Sequence, residues 1–77
     1  MNTEQLDHLV RMINQIALNL GELRDEDRAA VATEEHIRRF WTPDMRRALA
    51  TYWQAGGDAL SPAAARVAST LAGQMTA

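Results

Sequence analysis

Leu6-Asp7-His8-Leu9-Val10-Arg11-Met12-Ile13-Asn14-Gln15-Ile16-Ala17-Leu18-Asn19-Leu20 carries apolar residues at 6, 9, 13, 16 and 20, with spacings of three, four, three and four. That recurrence follows the turn of an α-helix, and it excludes the two-residue period of a strand. Val10 and Ala17 widen the stripe to the breadth of a core-facing helix. Asn2 or Thr3 can cap its start, Glu4 sits favourably in the first turn, and Gly21 is the expected terminator. Leu18 lies well off the stripe, which marks it as a candidate exposed contact.

Helix signals continue downstream of this stretch. Leu23 to Arg28 reads as a charged connection, with Asp25 or Asp27 as the cap of a second helix. On that helix Ala30, Thr33, Ile37, Phe40 and Trp41 share one face. It is expected to stop at Trp41, because Thr42-Pro43 is a restart: a threonine cap followed by proline at the first helical position. The third helix carries Met45, Ala48, Leu49 and Tyr52 inward and ends at Gly56-Gly57. Ser61-Pro62 repeats the cap-plus-proline signal. The last helix, with Ala64, Val67, Ala68 and Leu71, is short and alanine-rich, which predicts a shallow packing face and a tail that frays beyond Gly73. The expected architecture is all-α: a single domain over residues 1–77, made of three to four helices with short connections.

The chain has 77 residues, and a chain of that size buries only about 60% of the surface its unfolded form exposes. Small folds are commonly reinforced by disulfides, metals or a partner. The absence of cysteine excludes disulfides and thiolate zinc sites, leaving a partner surface as a further source of stability. A formal net charge of −2 supplies no global attraction to nucleic acid or anionic membrane. There is no basic-then-apolar leader and no apolar run approaching the ~20 residues of a membrane span, so the expected location is cytoplasmic.

The sequence carries no catalytic constellation. His8 and His36 fall on different helices; Glu4 stands one turn before His8, the spacing of a surface pair, and His36 flanks the apolar face of the second helix. Gly56-Gly57 ends a helix instead of opening one, unlike a phosphate-binding loop. No residue is therefore assigned a catalytic, cofactor-binding or metal-binding role.

All eight basic residues are arginines, whose planar donor forks suit fixed contacts. Arg38 and Arg39 each have an acidic residue four positions earlier, Glu34 and Glu35, and Arg11 follows Asp7 in the same order. These spacings favour salt bridges along a solvated helix face. Arg46 and Arg47 differ, because they lie in a first turn, where the helix dipole disfavours positive charge. Arg46 has no acidic residue three or four positions away, and Arg47 has only Asp44. Contact with carboxylates or phosphates on another molecule accounts for them, as does pairing across the fold with Asp25, Glu26 or Asp27. Phe40 and Trp41 read first as core, whereas Trp53 falls at the edge of its helix's apolar face, a common place for an interface anchor.

Leu9-Val10-Arg11-Met12 with Asn14-Gln15-Ile16, then His36-Ile37-Arg38-Arg39-Phe40-Trp41 before Pro43, Met45-Arg46, a glycine pair and Leu60-Ser61-Pro62, resembles the delta subunit of NAD-dependent formate dehydrogenase. The likeness runs over roughly residues 5–68. It implies a cofactor-free accessory subunit of a cytoplasmic complex, supporting assembly or stability rather than catalysis. In such a complex the large catalytic subunit carries a molybdenum or tungsten pterin, and other subunits carry FMN and iron–sulfur clusters that pass electrons to NAD. By the same resemblance Arg38, Arg39, Phe40, Trp41, Pro43, Met45 and Arg46 occupy signature positions, and Arg47, Trp53 and Leu18 join them as partner-binding candidates on the grounds given above. Asp44 stands where the family pattern has a basic residue, and Ala63 where it has a larger apolar one. Two other readings stay open on the residues alone: a helical nucleic-acid-binding module with arginines on phosphate, and a homo-oligomeric bundle joined through the Leu6–Leu20 stripe.

Overall fold

Four helices account for most of residues 2–75, the part of the chain that the computed structural model describes. They are α1 (Thr3–Asn19), α2 (Glu26–Phe40), α3 (Pro43–Gln54) and α4 (Pro62–Met75), and no strand occurs among the described residues. Each start follows from local chemistry. The Asn2 side chain accepts the Gln5 N–H at 2.8 Å and Gln5 answers by accepting the Asn2 N–H, a reciprocal capping box. Asp25 accepts the Arg28 N–H at 3.0 Å, and Thr42 accepts that of Met45 at 3.2 Å with Pro43 opening the helix. Between the two caps that the sequence offered for α2, the fold uses Asp25.

The helix ends are equally local. Gly21, at φ +100°, closes α1 as the Glu22 N–H reaches the Ala17 carbonyl at 3.1 Å and the Gly21 N–H reaches that of Leu18 at 3.2 Å. The same double bond pattern closes α3, from Gly57 to Tyr52 and from Gly56 to Trp53. Gly57 sits at φ +61°, and a Cβ there would meet the Trp53 side chain at 3.0 Å and its Cα at 3.3 Å.

The core lies where α4 crosses the other three helices, each of which packs against it. Ile13 of α1, Ile37 of α2, Leu49 of α3 and Val67 of α4 are its fully buried centre, joined by Leu9, Trp41 and Leu71. A second cluster consists of Ala17, Ala29, Ala30 and Ala63 alone, at the junction of α1, α2 and the start of α4. Four methyl side chains fill that junction, so the backbones approach closely there.

Several expectations are corrected by this packing. The last helix is not shallow: Ala63, Ala64, Val67, Ala68, Leu71 and Ala72 are all buried, because alanine lets neighbouring helices come close enough to enclose it. It also runs past Gly73 to Met75, so the tail beyond Gly73 is helical as far as it is described, and the last two residues lie outside those described. Leu20, though on the stripe, is exposed, since α1 has already ended at Asn19 and the chain is turning. Phe40 is 66% exposed instead of core, because α2 ends on it and the apolar face passes to Trp41, which is 5% exposed.

Candidate partner interface

The ten partner-binding candidates separate into residues that build the fold and residues that face outward. Trp41 is inside, in the main core cluster. Met45 and Trp53 are half-buried and packed against that cluster. Arg38, Arg39, Phe40, Pro43, Arg47 and Leu18 are exposed.

Arg46 receives an explanation that lies inside the molecule. Its Nη1 donates to the Trp41 carbonyl at 2.8 Å and approaches the Arg38 carbonyl at 3.4 Å. These are among the last carbonyls of α2, which have no helical partner of their own and carry the negative end of the helix dipole. The unfavourable first-turn position on α3 is thus outweighed by the C-terminal end of the preceding helix. Pairing of Arg46 or Arg47 with Asp25, Glu26 or Asp27 does not occur: Asp27 and Glu26 are taken by Arg66, the latter at 3.5 Å. The Asp27 hydrogen bond and charge, with a smaller contribution from Glu26, raise the Arg66 guanidinium above its ordinary value. Arg47 meets only Asp44, at 3.2 Å and in solvent.

Arg38 bonds Glu34 at 3.0 Å, as the spacing predicts, and donates to Gln74 on α4. Arg39 and Arg11 make no ion pair among the described residues, so the expected pairs with Glu35 and Asp7 are absent. Phe40 stands beside His36, ring centroids 4.8 Å apart and tilted by 46°. The α2–α3 corner therefore presents an aromatic ring, an unpaired guanidinium at Arg39 and a weakly paired one at Arg47.

Two other side chains fasten the connection from α3 to α4, and neither was assigned a role from the sequence. Asn14 accepts the Ser61 N–H at 2.9 Å and donates to the Ala59 carbonyl at 2.8 Å, clamping the α3–α4 connection onto α1. Glu22 accepts the Ala63 N–H at 2.7 Å, placing a carboxylate at the positive end of α4. Asn14 could have been noticed as an amide bordering an apolar stripe in a helix interior, where asparagine is a poor former. Glu22 gave no local signal.

The chemistry of the donor set is limited. Among the described residues no group of three His, Asp or Glu side chains is placed to hold a metal ion, and the chain has no cysteine for an iron–sulfur cluster. No helix of the described residues is long and apolar enough to cross a membrane. An open groove of about 640 Å³ between α1 and α3 is lined by Leu6, Ala48, Tyr52, Asp44 and Arg47 among others, and its one carboxylate is paired with its one guanidinium.

The family model described as NADH-dependent formate dehydrogenase delta subunit FdsD matches residues 8–68. The chain belongs to that family. As a delta subunit it is part of the NAD-dependent formate dehydrogenase complex, as the sequence resemblance implied. No curated protein and no solved structure matches it. The matched span runs from α1 into α4 and so includes both the corner residues and the Asn14 and Glu22 contacts that hold the delta subunit's fourth helix.

Proposed function

We propose that this delta subunit is a non-catalytic accessory chain that binds the large catalytic subunit of a cytoplasmic formate dehydrogenase and supports its assembly or stability. The observation that carries the reading is the exposed Phe40 within the signature block, next in the chain to Arg39, whose guanidinium makes no ion pair among the described residues. Burying an aromatic ring is worth about 1.5–3 kcal/mol. A fold of this size that leaves one in water at a helix end forgoes stabilisation that a partner surface can restore. Trp41 and Arg46 serve the same surface indirectly, by fixing the angle at which α2 gives way to α3.

The cofactors of the reaction, a molybdenum or tungsten pterin, FMN, iron–sulfur clusters and NAD, belong on this reading to the other subunits. The experiment is expression of the complex with and without the delta chain, followed by measurement of holoenzyme yield, of metal content per catalytic subunit and of thermal stability. Lower yield or metal content without the chain is the expected result. Equal yield, metal content and thermal stability would rule the proposal out.

A further inference from the structure

We infer that the α2–α3 corner docks an acidic segment of its protein partner, which encloses the Phe40 ring and sets carboxylates against Arg39 and Arg47. The inference rests on the accessory-subunit reading and specifies the chemistry of the surface that meets this chain.

Three observations converge on it. First, Arg46 bonds the carbonyls of Arg38 and Trp41, so the start of α3 is fastened beside the two residues, Arg39 and Phe40, that lie between them. Arg39 and the exposed ring are thereby placed at the end of α2 that Arg46 holds, next to the start of the helix that carries Arg47. Second, the corner contains a cleft of about 160 Å³ lined by Pro43, Arg46, Arg47, Leu71 and Gln74. Its apolar side is Pro43 and Leu71, and its polar side is two guanidiniums with the Gln74 amide that Arg38 holds. Arg46 commits only Nη1 to the helix carbonyls, and an arginine fork has five N–H donors. Arg47 is 64% exposed on an ion pair that water and salt compete for. A side chain with a short apolar stem and a terminal carboxylate has the complementary shape and charge.

Third, charge is distributed unevenly along the chain. Residues 34–47 hold Arg38, Arg39, Arg46 and Arg47 against Glu34, Glu35 and Asp44, a net of +1 in a chain of net −2, so the remainder carries −3. A partner that meets the corner with acidic groups is attracted there and repelled elsewhere, which orients the encounter.

The test is the affinity of the purified chain for formate dehydrogenase prepared without it, read by biolayer interferometry at low and moderate salt. The variants are Phe40→Ala, Arg39→Glu, Arg47→Glu and, as a control at an exposed site elsewhere, Leu23→Ala. Phe40→Ala is expected to weaken binding by about thirtyfold, the scale of an interface anchor. Each charge reversal is expected to weaken it about tenfold and to flatten the salt dependence, while Leu23→Ala binds as the wild type does. Thermal melts confirm that each variant folds. If one does not, hydrogen exchange on the wild-type complex decides, with protection over residues 36–47 supporting the inference and its absence overturning it. Wild-type binding that is indifferent to all three corner variants would overturn the inference and leave the accessory-subunit reading intact. No binding by the wild type would remove both. Equally tight, corner-dependent binding to a random-sequence DNA duplex would assign the surface to phosphate and overturn the acidic-protein reading.

Discussion

Arg46 illustrates how a residue's neighbours along the chain can mislead about its partner. Within α3 its charge is misplaced, yet it caps α2, whose terminal carbonyls it reaches at 2.8 and 3.4 Å. A charge-assisted hydrogen bond of this kind, half in solvent, is worth about 1 kcal/mol. Arg46→Ala should therefore lower the melting temperature by about 4–8 °C, with Arg46→Lys intermediate because a point charge keeps the dipole interaction but loses the fork. An unchanged melt for Arg46→Ala would return that residue to the list of free partner contacts. Thr33 is the opposite case. Its side chain is fully buried on α2 and its hydroxyl has no hydrogen-bond partner among the described residues. An unpaired buried hydroxyl costs about 1–3 kcal/mol, and valine has nearly the same shape. Thr33→Val is expected to raise the melting temperature by several degrees; a fall would mean that the hydroxyl finds a partner after all.

At the scale of elements, α1 to α3 were legible because each is written in local signals. The Leu6–Leu20 stripe, the Thr42-Pro43 restart and the glycine terminators need only sequence neighbours to act, and the caps appear where they were expected. The role of α4 was not legible, since it depends on what the other helices leave between them. Ala63 looked like a weak replacement for a larger apolar residue, but it is fully buried among Ala17, Ala29 and Ala30 while its N–H is held by Glu22. Periodicity alone put both Phe40 and Trp41 on the inner face of α2, whereas the helix ends on Phe40 and only Trp41, in the extended cap, reaches the core. The packing of α4 gives a direct prediction. Ala63→Leu should destabilise by about 1–3 kcal/mol, because three added carbons have no room where helices approach at methyl distance. Urea unfolding at constant m-value would measure it. A neutral or stabilising outcome would mean that the junction is loosely packed and that the family's larger residue fits here as well.

For the whole molecule, the question is what carries its stability, and the arrangement of charge supplies the answer. Every ion pair among the described residues lies at the surface: Arg38 with Glu34, Arg47 with Asp44, and Arg66 with Glu26 and Asp27. Exposed pairs contribute little and are screened by salt. The raised Arg66 does not change this with pH. A guanidinium whose folded-state value lies above its unfolded one contributes fully below the unfolded value, and it loses that contribution only in alkali beyond any working buffer. The fold rests instead on Ile13, Ile37, Leu49, Val67 and Trp41, on alanine-lined helix crossings, and on neutral or single-carboxylate contacts such as those of Asn14 and Glu22. The melting temperature of the isolated chain should accordingly move by less than about 3 °C between about 50 and 500 mM sodium chloride. Association through the arginine-bearing corner should weaken over the same range, so salt separates the forces that fold the chain from those that dock it. A melting temperature that falls steeply with salt would instead place the ion pairs among the supports of the fold.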